Sequence, residues 1–487
     1  MSMAGSSSRR RWRPIWVGRL VATLTVLMLV AAGCGLKSNK SNTSGGSSTQ
    51  SGTIKLGILT DCEGAFGSFN EQTIGGALAA FAAYAGGKAI NPAKPSAGMN
   101  GINVAVRPIQ IVGFGCSNDQ ADTAIKETKR LMEQLGADIL IGPLSGDEAI
   151  AVANYAKAHP TKTFINGTAG SFDPTMLVRA PNFFRYNGDG AQWNAGLGDL
   201  AFNSLGWKKV AVIGDDYSFA WTSMAGFIAD YCGAGGNVVK RVFPPLNTTD
   251  YSSWVRQLPP PNQVDGYFWA VGGSGLIPAL KAFEQAYGPI NPKQHMGNLF
   301  WGTPGQFQQL SKRVAGVYVG SAGTAGDLKT PAATTYTANI GKAFSSFPPF
   351  PGAAADQASS TFVYNYFNAA WALVKGIQAV NGNLGTNQKD LQTALATVSL
   401  PDAGYGAIKL DTNRQAIQDQ YILQLFLDSS GKLAIKTVRT VPAVSQDFGG
   451  AFTTTSPSPG RTFPPCQKRS LPWQGQAKTV TNGVPQA

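Results

Sequence analysis

The sequence predicts an α/β protein built as two similar lobes, each a doubly wound parallel sheet. Three observations carry this. Short apolar runs such as Ile139-Leu140-Ile141 and Val210-Ala211-Val212-Ile213 end in Gly-, Ser- or Asp-rich turns, and helical periodicity follows them; this is βα alternation. The series breaks near Arg185 and restarts at Lys208. The patterned region spans roughly 390 residues, more than one hydrophobic core supports.

In the first lobe, Ile54 to Leu59 reads as a strand, and the turn Thr60 to Gly67 leads to a helix around Thr73 to Tyr84. Val104 to Val112 is the next strand, and Cys116-Ser117-Asn118-Asp119 opens a helix reaching about Leu135. Ile139 to Ile141 is too short for a helix and reads as a strand buried on both faces. Gly142-Pro143 stops it, and Ser145-Gly146-Asp147-Glu148 spells a capping box, with a Ser before a helix and a Glu three residues on. Ala149, Val152, Ala153 and Ala156 then recur at helical spacing. Thr163 to Ile165 is a strand ending in small polar residues, Asn166 to Ser171. In open parallel sheets ligands bind beyond such carboxyl ends, where helix N-termini favour anions.

The second lobe repeats the scheme. Lys208 to Gly214 is a strand, Asp215 to Ala220 a turn into a helix ending near Tyr231, and Asn237 to Phe243 a strand. Thr249 to Trp254 opens a helix to Leu258, and Asp265 to Ala270 is a strand ending in Gly272-Gly273-Ser274-Gly275. A helix near Asp356 to Val380 carries Phe362, Tyr366, Ala370, Leu373 and Ile377 on one face, which predicts core burial of that face. Tyr421 to Leu427 reads as a closing strand, and residues 446–487 as a Pro/Ser/Thr-rich, largely irregular tail.

Before the folded body, residues 1–33 combine a basic stretch (Arg9, Arg10, Arg11, Arg13, Arg19) with an apolar run from Leu20 to Gly33. That run is shorter than the ~20 residues needed to span a bilayer, so it reads as a signal peptide. Ala31-Ala32-Gly33-Cys34 resembles a bacterial lipobox, which implies cleavage before Cys34 and lipidation of its thiol. Residues 34–52 form a Gly/Ser/Asn-rich tether. Loss of the signal peptide removes five positive charges and lowers the formal balance from +13 to +8. No dense basic run with interleaved aromatics follows residue 34, so no nucleic acid is expected as a partner. Four cysteines remain after Cys34, and three pairings are open to them. Cys62 and Cys116 follow strands at the same end of the first lobe, which favours pairing them and leaves Cys232 with Cys466.

Catalytic and metal signatures are absent. There are two His residues, His159 and His295, and no H-E-x-x-H, C-x-x-C, G-x-x-x-x-G-K-[ST] or G-x-S-x-G. The acid pairs Asp147-Glu148 and Asp215-Asp216 fall in turns or first helical turns, where acids are favoured without any chemistry. No cofactor, no metal and no enzymatic activity are expected; an α/β enzyme is the weakest alternative.

Gly142-Pro143-Leu144-Ser145 after a strand, Phe164-Ile165-Asn166-Gly167-Thr168 one helix later, Thr249-Asp250-Tyr251-Ser252, and Gly404 to Arg414 with Leu410-Asp411-Thr412-Asn413 together resemble the type I periplasmic solute-binding proteins of ABC transporters. These are the branched-chain amino acid receptors. The resemblance covers roughly residues 53 to 445. It implies two lobes joined by a multi-strand hinge, lobe one being 53–185 with 322–402 and lobe two 186–321 with 403–445. It implies an exported, lipid-anchored monomer that closes on a small polar ligand, an amino acid, amide or related compound, and hands it to an ABC permease. A ligand sensor on the same fold is the alternative. Carried over by position, the ligand's carboxylate would meet Ser145, Gly146, Thr168 and Gly170, with Ser171 as a substitute donor; Ala169, Asp61 and Phe66 are further candidates beside them. Lobe two would add Phe219, Gly273, Ser274 and Thr303, with Trp221, Trp269 and Trp301 as further aromatics near its turns. Gly146 and Gly170 stand where these receptors usually have Ser and Thr. Pro304 stands near the family's ammonium-pairing acid, a part that Asp61 or Glu63 would have to take.

Overall fold

The computed structural model describes residues 52–347 and 361–486. The expected signal peptide, most of the expected tether, Cys34, the expected start of the Asp356 helix and Ala487 lie outside the described residues.

The first sheet is built from β1 (Ile54–Asp61), β2 (Arg107–Ser117), β3 (Ile139–Ile141), β4 (Thr163–Ile165) and β5 (Phe183–Phe184), with a short edge strand Asn103–Val104 before β2. Its order is edge-β2-β1-β3-β4-β5, parallel throughout except for the antiparallel edge. β3 and β4 are buried at every residue, as strands covered by helices on both faces must be. Those helices are α1 (Asn70–Tyr84), α2 (Ala121–Lys129) and α3 (Gly146–Ala158). Two boundaries differ from the expectation. β2 runs on through Cys116 and Ser117, pairing Thr60↔Cys116 and Asp61↔Ser117, so α2 starts four residues after the sheet ends.

The second sheet is larger. β6 (Lys209–Gly214), β7 (Asn237–Val242), β8 (Gly266–Ala270), β9 (His295–Gly297) and β10 (Tyr318–Ser321) are parallel in the order β7-β6-β8-β9-β10. An antiparallel hairpin, β11 (Ala416–Leu427) and β12 (Leu433–Val444), then adds to β10, and β13 (Lys478–Thr481) adds to β12. The tail is thus irregular to residue 477 and then joins the sheet. Helices α4 (Ser218–Ala234) and α5 (Leu276–Tyr287) cover this sheet, while the helix expected at 249–258 shortens to Ser252–Val255. Chain crossings near Arg185, Ser321 and Gln415 link the two sheets, and Arg185 pairs with Gln415 at one of them.

The long helix α6 (Thr361–Ala379) returns to lobe one and packs along α1. It is buried almost all round rather than on one face: Thr361 to Val374, Gly376 and Ile377 are all inaccessible. A buried ion pair sits at the hinge, Arg185 to Asp189 at 3.8 Å, both side chains fully enclosed. Arg185 also donates to Gln415, Thr175 and the Ser171 carbonyl. Among the described residues, no helix is long and apolar enough to cross a membrane.

Candidate ligand site between the lobes

The carboxyl ends of both parallel sheets face each other across one cleft. From lobe one, the turn after β1 brings Phe66, the β3–α3 turn brings Leu144, Ser145 and Gly146, and the segment after β4 brings Thr168 and Gly170. Lobe two brings Trp193, Tyr217, Phe219, Leu299 and Phe300, and α6 brings Phe362. These residues line one small pocket, partly open to solvent, between the two sheets. None of these described lining residues is a carboxylate or a base.

The lobes meet closely. Ser218 N–H donates to Asp147 Oδ1 across the cleft at 3.2 Å, and Phe66 stacks on Phe300 at 5.5 Å between ring centroids. The glycines make this approach possible. A Cβ on Gly146 would lie 2.5 Å from Ser218 Oγ, and one on Gly170 would lie 2.7 Å from the Trp193 ring and 2.9 Å from Phe219. The space beside Gly170 is filled by aromatic rings, and that beside Gly146 by the Ser218 hydroxyl and the Phe219 backbone.

The polar groups sit on one wall. Glu148 reaches back to the Ser145 N–H at 3.4 Å, the return half of the expected capping box. Ser145 Oγ faces the Glu148 N–H as the other half of that box and is buried, with no protein acceptor for its own hydrogen. The Thr168 hydroxyl accepts from Asn365 Nδ2 at 2.7 Å, which leaves its own hydrogen free to donate. Ser145 is the N-cap of α3, whose first N–H groups and dipole favour an anion, and Thr168 lines the same pocket.

Phe66, Ser145, Gly146, Thr168, Gly170 and Phe219 are therefore brought together on the cavity. Other expected residues lie off it. Ser171 Oγ donates to the Gly146 carbonyl at 2.8 Å, and the Ala169 carbonyl accepts from Asn166; both brace the turn rather than line the space. Gly273 packs on the Ala65 carbonyl, Ser274 is exposed, and Thr303 donates to the Phe300 carbonyl and to Gln306. Trp269 is buried with its Nε1 donating to His295, Trp301 is buried in the core, and Trp221 donates to Asp216. The buried His295 is held neutral, its pKa lowered to about 3 by burial. Trp193, Tyr217, Phe300 and Phe362 were not expected in the site: aromatics fill cores and sites alike, and their spacing carries no sign of which.

Asp61 does not reach the cavity either. It is buried with Glu148 and Asp119, within hydrogen-bond reach of both, and no protein group outside this trio donates to its oxygens. Burial raises the pKa of all three, that of Glu148 to about 7, so the trio shares protons rather than carrying three charges. Glu148 also accepts from Ser117 Oγ and Asp119 N–H. Glu63 is exposed. Neither residue is placed to pair with a ligand ammonium.

Residues 53–432 match a family model described as periplasmic binding protein. The chain belongs to that family. A search of curated proteins finds no significant match. Among solved structures, an ABC transporter substrate-binding protein from Sphaerobacter thermophilus superposes with a TM-score of 0.67 at 18% identity, covering 81% of this chain and 99% of that one. A solute-binding protein from R. palustris in complex with benzoate gives 0.65 at 21%, covering 81% and 98%. A leucine-binding protein from Thermotoga maritima gives 0.63 at 14%, covering 79% and 98%. These likenesses bear out the two-lobed α/β fold. The family is one of extracytoplasmic solute receptors that work with ABC transporters, not of enzymes.

Proposed function

We propose that this protein is a lipid-anchored receptor that closes on a small aromatic carboxylate and delivers it to an ABC permease. The observation that carries the ligand class is the cavity wall. Six aromatic rings line it, donors cluster at the α3 N-terminus, and among the described lining residues no carboxylate is present to pair with an ammonium. A buried ammonium without an acid is costly, so an α-amino acid is a poor fit and an aromatic acid a good one. Benzoate is bound by one of the structural neighbours, and 4-hydroxybenzoate and 3,4-dihydroxybenzoic acid by others. The amino acid first expected from the resemblance is set aside on this ground.

The rest of the reading follows the chain. The lipobox supports Cys34 as the lipidated mature terminus. The Cα atoms of Cys62 and Cys116 are 5.1 Å apart and those of Cys232 and Cys466 5.2 Å apart, which suits disulfides in an oxidising compartment. A thermal-shift panel of benzoate, hydroxybenzoates, leucine and amides tests the ligand class. Benzoates are expected to raise Tm and leucine to leave it unchanged; the reverse pattern contradicts the reading. Mass spectrometry of the native protein is expected to find a diacylglyceryl mass on a peptide starting at Cys34.

A further inference from the structure

The family match ends at residue 432, yet the chain continues past it and back over both lobes. We propose that the segment from Gln446 to Gln486 is a strap with a latch, which ties the lobes along one edge of the cleft and biases the receptor towards its closed form.

The strap has buried anchors. Gln446 Nε2 donates to Asp189 Oδ2 at 2.7 Å and to the Phe172 carbonyl at 3.0 Å. Phe452, fully buried, meets Phe172 of lobe one edge-on at 5.4 Å. Phe448 packs between Phe452 and Trp473, at 5.3 and 4.6 Å. Trp473 Nε1 donates to Asp230 on α4 of lobe two at 3.2 Å. Cys466 pairs with Cys232 on the same helix, and Arg241 donates to the Pro464 carbonyl at 2.6 Å.

Between these anchors lie two contacts nearer the surface, made by the exposed side chains of Ser458 and Arg461 on opposite lobes. Ser458 Oγ donates to Asp173 of lobe one. Three residues later, Arg461 forms an ion pair with Asp216 of lobe two. Three residues reach only about 10 Å, so both contacts hold together only while the lobe edges are close. The edge itself is acidic: Asp173 and Asp147 come from lobe one and Asp216 from lobe two, and Asp147 takes the Ser218 N–H across the cleft. The Arg461 guanidinium places a positive charge at this edge, on Asp216.

The buried anchors join the lobes close to the hinge, Gln446 reaching Asp189 and Phe172 together, and leave the outer edge of the cleft to the stretch that follows. Thirteen residues lie between Phe452 and Cys466, and extended they reach about 45 Å. The Ser458 and Arg461 contacts are the part that distinguishes closed from open, and contacts present in one state only shift the equilibrium towards it. Because the Arg461 side chain is 65% exposed, the latch is weak and salt-sensitive, which suits a device that must release.

Small-angle scattering of the full chain without ligand tests this, comparing wild type with a Ser458→Ala/Arg461→Ala variant at low and high salt. The variant is expected to show a larger radius of gyration than wild type at low salt, and wild type to approach it as salt rises. Both substituted side chains are exposed, and circular dichroism with a thermal melt confirms folding. An Arg461→Lys variant, which keeps the charge, is expected to stay nearer wild type. Identical scattering of wild type and double variant at both salt concentrations overturns the proposal, as does a variant more compact than wild type. No ligand enters the measurement, so its failure is independent of the ligand class proposed above.

Discussion

Gly170 and Thr168 show what single positions decide in this cleft. A Cβ at 170 would press on Trp193 and Phe219, and closure brings those rings there. Gly170→Thr is therefore expected to hold the lobes apart and weaken benzoate binding at least tenfold, about 1.4 kcal/mol, with lobe one still folded. Calorimetric titration of that variant checks it. Thr168→Val keeps the shape but removes a donor and leaves the Asn365 amide without its acceptor; a loss of about 1 kcal/mol in binding is expected in the same assay. The resemblance made Ser145, Gly146, Thr168, Gly170, Phe66 and Phe219 legible, because they follow strand ends and strand ends are where the fold places ligands. Phe300, Phe362 and Tyr217 were not legible. Phe300 and Phe362 sit in apolar stretches that read as core, Tyr217 in a polar turn, and only the pairing of remote segments turns them into a wall.

Among elements, the meeting of β1, β2 and α3 is where sequence and structure part most. Asp147-Glu148 reads as a solvated first helical turn, and Asp147 does take the Ser218 N–H. Glu148 instead points into the core beside Asp61 and Asp119, partners 87 and 29 residues away in the chain that no local pattern reveals. The consequence is a pH dependence of stability. A carboxyl whose folded pKa is raised binds its proton more tightly in the folded state. Stability therefore falls as pH rises from the unfolded value, about 4.3 for Glu, to the folded value, about 7 for Glu148, Asp215 and Asp230, and flattens above it. Thermal melts are expected to show a higher Tm at pH 5 than at pH 8, with Glu148→Gln flattening part of the slope; a Tm that rises over this range contradicts it. At the hinge, Asp189→Ala leaves the Arg185 guanidinium buried without its partner and is expected to cost about 3–5 kcal/mol in urea unfolding. The element types themselves were readable from period and breakers. Boundaries were not where tertiary pairing extends them: β2 continues through Cys116 because Thr60 and Asp61 are there to pair with, and α6 is buried all round because α1 and the crossings enclose it.

At the scale of the molecule, two βα series with a break predicted two lobes, and the two sheets bear that out. The second sheet carries more than the series foretold, because the β11–β12 hairpin and the tail strand β13 extend it by long-range pairing that leaves only weak alternation in sequence. The tail read as irregular, and its Pro and Ser content justified that, but its aromatics find partners on both lobes. The central claim is that the closed cleft, with aromatic walls and donors at the α3 N-terminus, takes a small aromatic carboxylate. The most direct measurement is calorimetric titration of benzoate and of leucine into the full chain and into a Phe219→Ala variant, whose lost ring should weaken binding by about 1–3 kcal/mol. The account predicts one benzoate site per chain, weakened in the variant, and no heat of binding from leucine. Leucine binding in place of benzoate, or benzoate binding that Phe219→Ala leaves unchanged in a folded variant, would contradict it.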